Sequence, residues 1–447
     1  MKAIIKFIKK LLRKPKTPVV PPINANHIIS RNHHRVSKTD ISPNALNVLS
    51  RLNSAGYQAY LVGGSIRDLL LHKAPKDFDV ATSATPNQVK SLFRNARVIG
   101  RRFKLVHILY HREIIEVATF RGQEVEDDNQ LTNDRGMLIR DNVYGTLEED
   151  AWRRDFTINS LYYNINDSSI IDITNGFQDI NHRLIQIIGN PATRYQEDPV
   201  RMLRAIRFSA KLNFEIAPDT AAPIHELSSL ITHISGSRLF DEMIKLYQCG
   251  EGTAVQHLLV KYGLFQHLFK QSSALMTSRF PMNALITIAL ENTDARIRDN
   301  KPVTPAFIYA VILWFPLIAR TEELQNEGID PLPAIEQAMS QVISEQNQTV
   351  TIPKRFTQVM REIWLLQYRF EKRLGNRAFH LLEHPRFRAA YDFLSLRALA
   401  GDESLELAEW WTNFQEVEPS LQQEMINDLA TEPVKPSRKR RKPKPRT

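Results

Sequence analysis

The 447-residue chain has a single cysteine, Cys249. That excludes a disulfide framework and any zinc site built on several cysteines, and it fits a reducing compartment. Long apolar runs are missing too: the longest, residues 306–319, is 14 residues and contains Pro316. A membrane span needs about 20, so this run is expected to be a buried helix. Acid is absent from both ends. Residues 1–16 carry seven Lys or Arg and residues 435–447 carry eight, which out of a net charge of +10 leaves −5 for residues 17–434. A mildly acidic body with basic ends implies that the ends bind polyanions, either nucleic acid or anionic lipid. What is present is a globular composition, 43% hydrophobic and 24% charged, sufficient for a substantial core.

Ile4, Ile5, Ile8, Leu11 and Leu12 recur at helical spacing, and Lys6, Lys9 and Lys10 break the apolar core that a secretory signal needs. Two readings stand for residues 1–14: an amphipathic helix lying peripherally on the inner membrane, or a short basic helix on the protein's own surface. Pro15, Pro18, Pro21 and Pro22 then mark an extended linker. From about residue 41 the pattern is mixed. Helices are expected at Ala45–Leu52 and Ile66–Leu71, short strands at 60–62 and 78–80, and a hairpin from 104–109 and 113–120 turning at Tyr110-His111-Arg112. Residues 121–136 read as a polar, acidic loop. After about residue 180 helical periodicity takes over, as in Val359, Met360, Ile363, Leu366 and Phe370.

The first chemically informative stretch is LVGGSIRDLLLHKAPKDFDVATS, residues 61–83. Gly63 and Gly64 fall between a strand and a helix, where backbone N–H groups can approach a phosphate and Arg67 adds positive potential. Strand-Gly-Gly-helix turns are also common as plain structure. Asp77 and Asp79 are two apart on an expected strand, so both carboxylates project from one face while Phe78 points into the core. Paired carboxylates repel unless a cation lies between them, and Mg²⁺ is held by one or two carboxylates when phosphates complete its shell. For a third carboxylate, Glu116 in the apolar run IIEVATF and Asp155 in RRDFTINSL are both candidates; the bland reading of Asp155 is an ion pair with its arginines. In EDPVRMLRAIRF, Asp198 is an expected N-cap, Pro199 suits the first helical turn, and Arg201, Arg204 and Arg207 recur every third residue. Asp198 and Arg201 are helix neighbours able to hold one another's planar groups toward a base edge, with the other arginines reaching triphosphate oxygens. An ordinary charged helix face is the competing reading.

Taken together, GGSIRD, KDFDVATSATP, EEDAWRRDFTINSLYY and RYQEDPVRMLRAIRF resemble the class II nucleotidyltransferases, the family of CCA-adding enzymes and bacterial poly(A) polymerases. RNARVIGRRFKLVHILY at 94–110, IPKRF at 352–356, LLEHPRFRAAYDFLSLRA at 381–398 and the basic tail are similar to its poly(A) polymerase I branch. The resemblance covers about residues 40–447 and implies an α+β fold: a polymerase-β-like nucleotidyltransferase head of mixed sheet and helices, then an all-helical neck and body. The expected division is an N-terminal extension and linker at 1–40, the head at 41–180, a neck for nucleotide recognition and RNA binding at 181–265, the body at 266–430 and a disordered basic RNA-binding tail at 431–447. The implied activity is template-independent addition of AMP from ATP to RNA 3′ ends. Carried over by motif, Asp77 and Asp79 match the catalytic pair for Mg²⁺ or Mn²⁺, and Asp155 the aspartate of the R-R-D motif. Gly63, Gly64, Arg67 and Arg154 match the triphosphate-binding positions, and Asp198, Arg201, Arg204 and Arg207 the nucleotide-recognition helix. Ser65 stands where this branch usually has a third glycine. A cytoplasmic monomer whose partners are ATP, RNA 3′ ends and RNA-decay factors is expected. CCA addition to tRNA is the alternative within enzymes, and an inactive RNA-binding adaptor the alternative outside them.

Overall fold

The computed structural model describes residues 27–100, 104–122 and 143–431. The expected amphipathic segment 1–14, most of the acidic loop and the basic tail lie outside these. The described residues form two compact units, one ending at Leu230 and the other starting at Ile231.

The first unit is built on a sheet of β1 (Ile28–Ile29), β2 (Ala59–Val62), β3 (Asp79–Thr82), β4 (Ala96–Ile99), β5 (Leu105–Tyr110), β6 (Glu113–Thr119), β7 (Leu161–Tyr163) and β8 (Ile170–Asp172). The order is β1-β8-β7-β2-β3-β6-β5-β4. β3 and β6 run parallel, and β2 flanks β3 antiparallel. The hairpin expected at 110–112 joins β5 to β6, with His111 at φ +42°. Helix α1 (Pro43–Ser54) starts as its sequence dictates: the Ser42 hydroxyl accepts from the Asn44 N–H at 3.2 Å and Pro43 fills the first turn. Its buried face is Ala45, Val48, Leu49 and Leu52, spaced i, i+3, i+4, i+7. Helix α2 (Gly64–Leu70) follows β2 directly, two residues earlier than the apolar pattern alone suggests. Gly63, at φ +79°, supplies the bend. Helix α3 (Pro86–Leu92) begins at a Thr85–Gln88 capping box and α4 (Leu147–Arg153) at a Thr146–Glu149 one. On one sheet face Tyr60, Val62, Ala81, Phe120 and Tyr162 pack with Leu147 and Ala151 of α4.

Past residue 180 a short parallel pair, Leu184–Ile185 with Glu215–Ile216, extends β structure where the pattern reads as helical. Two residues per strand are too few for alternation to register. Helix α5 (Pro191–Glu197) ends one residue before Asp198, which is extended, and α6 (Val200–Leu212) starts just after Pro199. Asp198 accepts from the Val200 N–H at 3.3 Å, so it serves the start of α6 from one residue further out than an N-cap.

The second unit is helical throughout its described residues. The apolar run at 306–319 is not one helix. It is divided between Pro305–Ile312 and Trp314–Asn326, with Leu313 as the junction. Pro316 decides this, because its missing N–H is harmless only in a first turn. The run is almost entirely buried all the same. Met360, Ile363, Leu366 and Phe370 are buried on the helix Lys354–Phe370, as their spacing predicts. Among the described residues no helix is long and apolar enough to cross a membrane.

Candidate active site

Asp79 opens β3, opposite Val62 at the end of β2 and opposite Glu116 on β6. Val62 is followed by the Gly63–Gly64 bend, so strand pairing carries the bend to the carboxylate. A Cβ on Gly63 would lie 3.9 Å from the Asp79 Oδ2 and 3.8 Å from the Arg154 Nη1. Bend, acid and arginine therefore surround one point. Asp77 precedes the strand and is exposed, while Phe78 between the two acids is buried. Ser65, in place of a third glycine, donates its hydroxyl to the Val62 carbonyl at 3.1 Å and closes the turn from inside.

Burial pushes the Asp79 carboxyl up to about 6; Glu116 and Asp77 push the same way, and Arg154 opposes them. Glu116 is in turn met by His107 on β5, Nε2 to Oε2 at 3.2 Å. Asp79, Glu116 and His107 form a row across three adjacent strands. Among the described residues no three or more His, Cys, Asp or Glu gather into a metal-holding group. Hard carboxylate oxygens at Asp77 and Asp79, beside the diglycine bend, nevertheless fit a divalent cation whose shell phosphates complete.

Arg154 is aimed by α4. Its Nε donates to the Tyr162 hydroxyl at 2.8 Å and its Nη2 to Asp150 at 3.0 Å. Tyr162 also donates to Asp150, at 2.7 Å, closing a three-membered network that fixes the guanidinium. Burial opposes the Arg154 charge, but Tyr162 and Asp150 more than offset it, holding its pKa above the ordinary arginine value.

Asp155 points elsewhere. Its Oδ2 accepts from Arg204 on α6, Nε at 2.6 Å, and its Oδ1 from the Phe156 N–H at 2.8 Å and Asn159 at 3.2 Å. Burial pushes this carboxyl up, but Arg204 and the hydrogen bonds outweigh it and hold it below the usual range. Asn159 links Asp155 to α2, accepting from the Arg67 Nη1 at 2.6 Å. Arg67 is buried and also donates to Asp68, so it supports the bend from within. One ring organises the cations: the guanidinium carbons of Arg67, Arg204 and Arg207 lie 5.2, 5.4 and 4.9 Å from the Phe208 centroid. Phe208 is set edge-on against Phe156 at 5.6 Å.

Arg201 on α6 is held differently from what the spacing to Asp198 implies. Arg201 donates to Glu197 at 2.8 Å and to the Arg194 carbonyl at 2.6 Å. Glu197 also accepts from the Arg194 Nη1 at 2.9 Å, and the Arg194 Nη2 donates to the carbonyls of Arg153 and Arg154, each at 2.7 Å. Arg194 thus ties the R-R-D segment to the acid that orients Arg201.

Three family models match along the chain: "Poly A polymerase head domain" over residues 59–186, "Probable RNA and SrmB- binding site of polymerase A" over 213–276, and "Polymerase A arginine-rich C-terminus" over 327–446. Poly(A) polymerase I of Salmonella typhi is 48% identical across 99% of this chain and 97% of its own. The chain belongs to the poly(A) polymerase I family. A CCA-adding enzyme from Lactobacillus gasseri is 40% identical, over only 45% of this chain and 49% of its own. The sequence match to that enzyme spans about half of the chain, whereas the poly(A) polymerase I match runs nearly end to end. In fold, the family member described here is similar to a tRNA nucleotidyltransferase solved with a primer tRNA and an incoming ATP analogue. That likeness has a TM-score of 0.58 at 20% identity, over 85% of this chain and 99% of the other.

His107, Asp150, Tyr162, Arg194, Glu197 and Phe208 are the site residues that motif reasoning passes over. His107 left the signal of a polar residue alternating with Val106 and Ile108 in a strand, and Asp150, Arg194 and Glu197 sit at helical i, i+3 or i, i+4 spacing from their partners. Tyr162 and Phe208 act through contacts that spacing does not encode, to Asp150 and to Arg67.

Proposed function

We propose that this chain transfers AMP from ATP to RNA 3′ ends without a template, at the Asp79–Gly63–Arg154 point. One observation carries the reading: a carboxylate with unmet negative potential faces a strand-to-helix bend that also faces a fixed arginine. Asp77 and Asp79 would hold Mg²⁺ or Mn²⁺, with Glu116 adding negative potential opposite Asp79. When bound, such ions supply a Lewis acid at the α-phosphate and ease ionisation of the RNA 3′-hydroxyl. Gly63 and Gly64 let the backbone approach the triphosphate, and Arg154 offsets its charge. Arg67, Arg204 and Arg207, grouped on Phe208, keep positive potential at the same place. Asp155 is a positioning residue, joining α6 to the bend through Arg204, Asn159 and Arg67.

With no template, protein groups choose the base, and Asp198 and Arg201 would meet the adenine edge. A site built to hydrogen-bond one base rejects others because their partners stay unpaired. We place this chemistry in a head at 41–180 with a neck at 181–265, followed by a body at 266–430 and the RNA-capturing tail at 431–447. The single cysteine fits a reducing, cytoplasmic compartment, and a monomer is proposed. RNA-decay factors, and a membrane surface at residues 1–14, are the further partners proposed.

The deciding experiment is incubation of an unstructured RNA with labelled ATP and CTP. Long A tracts are expected. Two C additions followed by one A would give the chain to CCA addition, and no metal-dependent turnover would leave the inactive adaptor.

A further inference from the structure

The second unit contains a cavity of about 300 Å³ lined by Arg369, Lys372, Arg377, His380 and Leu381. Four of the five are basic and none is acidic. Several other cations of this unit are paired: Arg279 with Glu322, Arg320 with Glu323, Arg386 with Glu362, Arg388 with Asp392 and Arg397 with Asp402. Among the described residues nothing ion-pairs with or hydrogen-bonds the side chains of Arg369, Lys372, Arg377 or His380. All four are exposed. Their acidic neighbour Glu371 lines a different cavity, with Glu322, Asp402 and Glu403. That cavity also holds Arg397, so Glu371 is placed with another cation and not with the four basic side chains.

Helix electrostatics accounts for only half of the cluster. Arg369 closes the helix Lys354–Phe370, where a cation complements the dipole, but Arg377 opens the helix Arg377–Leu382, where a cation is opposed. Like charges gathered around one hollow with no acid among them gain most from an anion placed between them. Two guanidinium forks and a lysine match the oxygens of phosphate, and the volume suits one phosphodiester with its adjoining sugars.

We propose that Arg369, Lys372, Arg377 and His380 form a phosphate site that grips one phosphodiester of the RNA being extended. This rests on the reading of the chain as an RNA-extending enzyme. The test uses the full chain with Arg369→Gln and Arg377→Gln combined, and fluorescence anisotropy with a long labelled oligo(A). Affinity should fall about tenfold at physiological salt, the loss expected for one charged hydrogen-bonded contact. The dependence of log affinity on log salt should flatten by about 0.7, one single-strand phosphate's share of counterions. Melting temperature and ATP affinity should stay at the parent values, and the Arg369→Lys, Arg377→Lys pair should keep most of the RNA affinity. Unchanged affinity and slope would overturn the site, as would a loss of ATP affinity in step with RNA. If inorganic phosphate but not oligo(A) moves the His380 ring resonances, the cavity takes free phosphate and the proposal falls. Should the parent chain add no nucleotide, the functional reading fails while the anisotropy still decides this site.

Discussion

Asp79 and Glu116 stand opposite each other on two parallel strands, and the Glu116 carboxylate makes ionisation of Asp79 costlier. The Asp79 carboxyl titrates at about 6 in the fold against 3.8 for a free one. A raised value means that the fold binds this proton more tightly than the unfolded chain does. The stabilisation is complete below pH 3.8 and is lost as pH rises through about 6. Over about two units the loss is at most about 3 kcal/mol. In chelator, Asp79→Asn should therefore melt higher than the parent at about pH 8 and match it at about pH 4. Equal melting at the higher pH would mean that burial and Glu116 do not oppose the charge.

The same negative potential that weakens the metal-free fold is what attracts a cation. Asp79→Ala and Asp77→Ala should each reduce AMP incorporation by at least about a thousandfold, comparable to loss of a preorganised charge-stabilising group. Circular dichroism should be unchanged. Turnover surviving in either variant would remove the pair from metal binding.

Glu116 and Asp155 separate by a different readout. Glu116→Gln should raise the Mg²⁺ concentration needed for half-maximal rate, with little change in melting. Asp155→Ala leaves Arg204 without its carboxylate, so it should cost about 2–3 kcal/mol of stability while the Mg²⁺ requirement stays put. A shifted Mg²⁺ requirement in Asp155→Ala alone would exchange the two roles.

Local motifs made the head's candidate site legible because its parts are local: the diglycine bend, Asp77 and Asp79, and Arg154 lie in short runs fixed by one strand or one turn. Register is not local. That Glu116 faces Asp79 depends on β6 pairing parallel to β3 across some 30 intervening residues, of which sequence gives only the hint of an acid in an apolar run. Spacing also suggested Asp198 as partner of Arg201, since both i, i+3 and i, i+4 neighbours are in reach. The break at Asp198 and Pro199 ends α5 first and places Glu197 at the arginine instead. In the body, the apolar run predicted burial correctly and continuity wrongly, because a proline tolerated in a first turn looks the same in sequence as one that kinks a helix.

Glu197 should govern which base is accepted. It holds both Arg194 and Arg201, so Glu197→Gln keeps the size of the side chain but loses the charge that orients two guanidiniums. The ratio of kcat/KM for ATP over CTP should fall by about 10- to 100-fold, in keeping with about 1.5–3 kcal/mol for hydrogen bonds to charged groups. Arg194→Lys should give a similar fall, since an ammonium cannot span Glu197 and two carbonyls in the guanidinium's planar fork. Selectivity preserved in both variants would mean that Arg201 is oriented without them.

Phe208 gives the most direct test of how the cations stay together. Arg67, Arg204 and Arg207 repel one another, and their shared contact is a single aromatic face and edge. Lys211 nearby feels the crowding: burial lowers its pKa, and Arg67, Lys76 and Arg207 lower it further against Asp68. Each guanidinium–ring contact is worth about 0.5–1 kcal/mol, so Phe208→Leu removes up to about 2–3 kcal/mol of restraint while keeping an apolar plug against Phe156. The KM for ATP should rise about tenfold with kcat little changed, because the loss falls on positioning the triphosphate before transfer. Phe208→Tyr, which retains the ring, should restore KM to within about twofold. If Leu and Tyr behave alike, burial rather than the π face holds the arginines, and the ring has no part in nucleotide binding.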